Sequence, residues 1–206
     1  MLLPLAGAAI ISALPKNNEK AAKQAALGTT LVVMAVTIAM AVGFQRDNVE
    51  LQFVEKYAWI PSFGINFALG VDAIALVLIL MSVILAPIVV LAGWDEAHGG
   101  RWSVKTFYIL ILVLETMMIG VFAATDLFLF YVIFEAMLIP VYFLIGGYGT
   151  GERAAAAVKF LLYSLFGGLL MLASIIALYV MSGAQGGHTF DIDKLSQLQM
   201  SSTTQN

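Results

Sequence analysis

The chain has 206 residues, 61% of them hydrophobic and 11% charged, with a net charge of −3 and a mean hydropathy of +0.95. A soluble domain is about 45–50% apolar and about 25% charged, so this composition excludes a soluble globular protein and a disordered chain. No basic footprint exists for nucleic acid, and the lack of cysteine excludes disulfides, iron–sulfur clusters and thiolate zinc sites.

Long unbroken apolar runs identify an all-α, polytopic membrane helix bundle, because a bilayer accepts only helices or closed barrels. At about 20 residues per crossing, the chain gives six candidate spans: 2–14, 25–44, 71–93, 104–125, 127–145 and 154–182. The first covers only about 20 Å against a hydrocarbon core of about 30 Å. No basic segment precedes it, which argues against a signal peptide, and it reads as a span whose N-terminal turns are missing or tilted outwards. Residues 183–206 form a polar outer tail. The loop from Gln45 to Gly70 carries Pro61, Gly64 and Gly70 and reads as an irregular or short amphipathic surface segment. The Gly-Gly-Tyr-Gly-Thr-Gly run at 146–151 lacks the strand–helix context of a dinucleotide site and reads as a loop.

Lys and Arg favour the cytoplasmic side. Lys16, Lys20, Lys23, Arg101, Lys105 and Arg153 fall on one side and Arg46, Lys56 and Lys194 on the other. The six-to-three count places the N-terminus outside. Trp94, Trp102, Tyr57 and Trp59 suit the headgroup zone. Asp126, between spans four and five, is placed to cap the fifth helix. His98 and His188 lie far apart in polar stretches and predict no metal or haem site.

Three ionisable residues interrupt the apolar runs: Glu115, Glu135 and Lys159. A charge at the bilayer centre costs about 2.5–3.5 kcal/mol on insertion scales, and such groups usually mark ion or proton routes. Glu135 lies about 12 Å and Glu115 about 15 Å below the same surface, by the helical rise. Spans four and five form a tight hairpin, so the two carboxyls are expected at similar depth on adjacent helices. Two such groups close together in a low dielectric cannot both ionise cheaply. Pro140 frees the carbonyl of Ala136 beside Glu135, a natural place for water in a proton relay. The plainer reading is a neutral glutamic acid that joins helices by hydrogen bonds. Pro87 has no ionisable neighbour in sequence and reads as a packing kink. Lys159 lies about 8 Å from the inner edge, either snorkelling to the surface or acting as a relay group. Gly167 and Gly168 permit close helix packing.

The stretch LETMMIGVFAATDLFLFYVIFEAMLIPVYFLIGGYG, from Leu114 to Gly149, resembles the fourth and fifth helices of the subunit M family of respiratory complex I, whose mitochondrial member is NADH dehydrogenase subunit 4. AVKFLLYSLFGGLLML, from Ala157 to Leu172, is similar to that family's sixth helix, and HTFDIDKL to the outer loop after it. The resemblance implies the N-terminal portion of an antiporter-like fold of two inverted repeats. It implies a proton-transfer role for Glu135, an auxiliary one for Glu115 and a less settled one for Lys159. It further implies a bacterial inner-membrane protein, working with protons and water among other membrane-arm subunits of the complex. NADH, FMN, iron–sulfur clusters and quinone then belong to those other subunits, and this chain holds no cofactor. Because the chain stops after span six, the expectation is either a fragment of a longer subunit or a truncated product that cannot complete a pump alone. A cation/proton antiporter or membrane-bound hydrogenase subunit, and a non-transporting scaffold, are the alternatives. The residues after the glutamate, Ala136-Met137-Leu138-Ile139-Pro140, favour complex I.

Overall fold

A computed structural model describes residues 1–15, 18–45, 50–95, 100–184 and 187–198. Lys16, Arg46 and His98, which entered the charge and histidine arguments, lie outside the described residues. In chain order the elements are α1 (Leu3–Ala13), α2 (Glu19–Val42), β1 (Gln52–Ile60), β2 (Ile65–Val71), α3 (Ala73–Ala92), α4 (Val104–Ala123), α5 (Leu127–Tyr148), α6 (Arg153–Gly183) and α7 (Ile192–Ser196). Five helices, α2 to α6, are long and apolar enough to cross a membrane, whereas α1 is shorter.

Short polar side chains fix where these helices begin. Asn18, Asp72 and Ser103 accept from the N–H groups of Ala21, Ala75 and Thr106, satisfying donors that have no partner inside the helix. The start of α2 falls six residues before the expected apolar run. Apolarity marks the part of a helix that suits lipid, while the Asn18 cap marks where its hydrogen bonds start. Two buried clusters then join α1–α4. One contains Ile11, Ala26, Val90 and Leu112, and the other Val33, Val83 and Ile119.

Two sequence expectations are corrected. The segment from Gln45 to Gly70 is not irregular: β1 and β2 pair antiparallel, with Tyr57 opposite Phe67 and Ala58 opposite Asn66. Its aromatic and β-branched residues favour strand. Pro61 opens the tight turn, and Gly64, at φ +68°, closes it in a left-handed conformation that glycine adopts at little cost. Gly146 and Gly147 belong to α5, not to a loop. The indole of Trp102 lies where a side chain on Gly147 would project, and its ring meets Tyr148 edge-on at 6.2 Å. The helix continues there because the missing side chain makes room for a ring.

The bundle is tied at both ends. At one end, Lys105 Nζ donates to the carbonyls of Ser12 and Leu14 at 2.7 Å each, satisfying the C-terminus of α1. Lys23 Nζ donates to the Trp94 carbonyl, and the Arg101 N–H donates to the Gly147 carbonyl at 2.7 Å. At the other end, the extended connector between α4 and α5 lies between β2 and the segment after α6. Thr125 N–H donates to Ala68, Leu127 N–H to Phe190, and Ile192 N–H to Thr125, at 3.0, 2.8 and 3.1 Å.

Asp126 sits in this connector, 1% exposed. Its Oδ1 caps α5, accepting from Phe128 at 3.0 Å and Leu129 at 3.1 Å, and its Oδ2 accepts from the Asn66 N–H of β2 at 3.0 Å. Burial pushes its carboxyl above the usual carboxylate range, while the three N–H donors pull the other way. Asp126→Ala is expected to cost about 2 kcal/mol, from a lost cap and a stranded β2 donor. Asp126→Asn, which keeps an oxygen for the cap, is expected to cost less. Thermal denaturation of the purified variants checks this ordering, and equal midpoints for all three proteins would contradict the clamp.

Candidate functional site

Helical periodicity sets which way each membrane carboxyl faces. Phe128, Tyr131 and Glu135 fall at i−7, i−4 and i on α5, on one stripe. Phe128 and Tyr131 pack with Met171 and Ile175 of α6. Those two lie three and seven residues beyond Gly168, on one stripe of α6. The stripes run in opposite directions, so Glu135 meets Gly168. A Cβ built on Gly168 would lie 2.6 Å from the Glu135 carboxyl carbon and closer still to Oε1. The carboxyl thus occupies the place of the absent side chain. Its Oε1 is buried and has no hydrogen-bond partner among the described residues.

Glu115 is 3% exposed, and neither of its carboxyl oxygens has a hydrogen-bond partner among the described residues. It shares a stripe of α4 with Leu112 and Ile119, which belong to the clusters that join α4 to α1, α2 and α3. In the fold Pro87 lies in the same layer of the bundle as Glu115, which the sequence did not show. It falls between Val83 and Val90 on α3, and Glu115 between Leu112 and Ile119 on α4, so both lie between the same two clusters. Pro87 has no N–H, which leaves the Val83 carbonyl without its usual helical donor.

The expected pairing of the two carboxyls holds in depth but not in direction. A Cβ on Gly120 of α4 would lie 3.3 Å from Ile133 of α5. Counted from that contact, Glu115 and Glu135 differ in depth by about 5 Å. Glu135, however, is two residues from Ile133 and so about 200° round α5. It faces α6, while Glu115 faces the clusters that join α4 to α1, α2 and α3. Lys159 joins neither. It is nine residues from Gly168, about 180° round α6 and about 13 Å along it, and its side chain is exposed. Pro140 is buried within α5, one turn beyond the Ala136 carbonyl it releases.

Sequence reasoning treated Gly168 only as a packing residue. The signal that places it is the antiparallel register of two stripes, 128–131–135 and 175–171–168, which needs the pairing of α5 with α6. At the capped end, His188 Nδ1 lies 3.0 Å from the Tyr179 carbonyl and its ring stacks on Tyr179. No cluster of three or more His, Asp or Glu fit to hold a metal occurs among the described residues.

The separation of the carboxyls has a measurable consequence. Groups without a shared partner act independently, so the effects of Glu115→Gln and Glu135→Gln on unfolding free energy are expected to add to within about 0.5 kcal/mol. A larger coupling in the double variant would mean that the carboxyls share a proton or a hydrogen bond.

Comparison with known proteins gives one consistent picture. The family model described as "NADH:quinone oxidoreductase/Mrp antiporter, TM" matches residues 124–206. The NADH-quinone oxidoreductase subunit M of Mycobacterium tuberculosis is 42% identical over 94% of this chain and 40% of its own length. The NADH-ubiquinone oxidoreductase chain 4 of Marchantia polymorpha is 34% identical over 89% of this chain and 37% of its own length. Among solved structures, a chain of respiratory complex I from Thermus thermophilus with bound NADH superposes with a TM-score of 0.78 at 25% identity. That match covers 98% of this chain and 39% of the Thermus chain. The chain therefore spans about two fifths of the length of the curated relatives it matches.

Proposed function

Because the chain belongs to the NADH:quinone oxidoreductase/Mrp antiporter membrane family, in its subunit M and chain 4 branch, we propose that it works as a membrane-arm, antiporter-like subunit of a proton-pumping NADH:quinone oxidoreductase. In this reading it assembles with other membrane-arm subunits in a bacterial inner membrane. The redox cofactors and quinone sit in those other subunits, and this chain moves protons only.

The observation that carries the reading is the Glu135 carboxyl, held between α5 and α6 with Oε1 lacking a hydrogen-bond partner among the described residues. A carboxyl used only to join helices is expected to have found a donor, since burying an unpaired polar group costs about 1–3 kcal/mol. One left free suits a group that takes up and gives back a proton. Glu135 is the loading residue in this scheme. A proton binds its carboxylate, the neutral acid persists in the low dielectric, and release follows when charge elsewhere in the complex changes. The Ala136 carbonyl, released by Pro140, offers an acceptor to the water that brings or removes that proton. Glu115 is the auxiliary carboxyl, on the far side of the α4–α5 contact. Pro87, in the same layer of the bundle, releases the Val83 carbonyl one turn away on α3 as a similar foothold for water. Lys159, on the outward face of α6, acts as a relay with groups that approach that face.

Glu135→Gln in the full-length chromosomal gene tests this. The variant is expected to assemble into the complex, while NADH-driven acidification of inverted vesicles and NADH:quinone turnover fall by about a hundredfold, at the low end of what a proton-transferring side chain contributes. Unchanged pumping and turnover would leave Glu135 as a helix-joining group, or assign the chain to another machine of the same family.

A further inference from the structure

The adjacent glycines of α6 differ in their surroundings. A Cβ on Gly167 would meet nothing within 4 Å, whereas one on Gly168 would intrude on the Glu135 carboxyl. Close helix packing alone does not account for this, because the atoms that fill the space at Gly168 belong to one functional group. The facing stripe of α6 runs through Ala157, which is buried, and Leu161 and Ser164, which are half-buried. Only at Gly168 does the missing side chain admit a carboxyl.

We propose that Gly168 is a positioning residue for Glu135: by having no side chain it leaves a notch on α6 that holds the carboxyl against that helix, at the height where it exchanges its proton. The proposal rests on the reading of Glu135 as the loading residue. A methyl group there does not collide with backbone. It collides with the free end of a flexible side chain, which can swing aside with the helices left in place. The expected defect is a displaced carboxyl in an intact bundle, and glycine's low helix propensity makes alanine otherwise the more favourable residue.

The test uses the full-length protein in the assembled complex. Gly168→Ala is expected to lower NADH:quinone turnover and acidification by about tenfold or more, because a displacement of about 1 Å at a reacting group commonly costs up to about a hundredfold. Gly167→Ala is expected to leave both unchanged. The discriminating readout is the pair with Glu135→Asp. Aspartate withdraws the carboxyl by about 1.5 Å, one carbon–carbon bond, and so vacates the notch. Adding Gly168→Ala to Glu135→Asp is then expected to cost less than about a further twofold, a strong departure from additivity. Wild-type turnover in Gly168→Ala, or losses that simply multiply in the double variant, would overturn the proposal. If Gly168→Ala fails to assemble, normal assembly of the double variant supports the collision with the carboxyl. Failure of both to assemble makes Gly168 structural and overturns it. Normal pumping in Glu135→Gln removes the reading of Glu135 and this proposal together. Normal pumping in Gly168→Ala alone removes only the notch.

Discussion

One carboxylate holds the capped end of the bundle in register. Asp126 starts α5 and ties it to the hairpin: one carboxyl oxygen accepts from the Phe128 and Leu129 N–H groups of the helix, the other from the Asn66 N–H of β2. Hydrogen bonds to a charged acceptor are about twice as strong as neutral ones, and removal of this acceptor would strand buried donors. The height of α5 follows from this anchor, because a helix advances only about 1.5 Å per residue. A shift of one residue at the cap would carry Glu135 off Gly168 and bring another side chain to the notch. The register that brings the carboxyl and the notch together is thus set nine residues away.

Polar groups on the spans divide into two kinds. The hydroxyls of Thr30, Thr37, Ser82 and Thr116 are all buried and each donates to a carbonyl three or four residues earlier on its own helix, at 2.9–3.0 Å. Such bonds are local and survive any rearrangement of the bundle. The carboxyls of Glu115 and Glu135 have no such local solution, because an ionised carboxyl only accepts and the N–H groups within a helix are already used. Both oxygens of Glu115 and Oε1 of Glu135 stay unpaired among the described residues. The expense of that arrangement falls on two positions one helix contact apart and facing opposite ways. The fold presents two separate buried carboxyls, not one shared dyad.

Much of this was legible in the amino-acid sequence, and the reason differs by feature. The spans could be read because lipid imposes a long apolar window, and Asp126 because a short acceptor before a helix has few other uses. Glu115, Glu135 and Lys159 stood out because charge is rare in such windows. The hairpin was missed although its strand-forming residues and its Pro61 and Gly64 turn were in view. The weight given to the turn residues alone made the segment look irregular. The direction of each carboxyl was not legible at all. Helical periodicity gives angles on one helix, but which neighbour fills a given angle depends on packing between helices. Glu135 against Gly168, and Glu115 in the layer of Pro87, are facts of that second kind.

The length of α6 has a consequence for the membrane itself. Its 31 residues extend about 46 Å, against a hydrocarbon core of about 30 Å. A tilt of about 20° shortens its projection to only about 43 Å, so a turn or more at each end stands in the headgroup region, and the placement of Lys159 about two turns from the N-terminal end of α6 sets it near that boundary. A helix longer than the hydrocarbon core accommodates bilayer thickness chiefly by tilting. In a thicker bilayer more of α6 is drawn into hydrocarbon and the helix stands more upright; in a thinner one it leans. Gly168 rides on that helix and Glu135 on its neighbour, so a change in the tilt of α6 against α5 is also a change in the seating of the carboxyl.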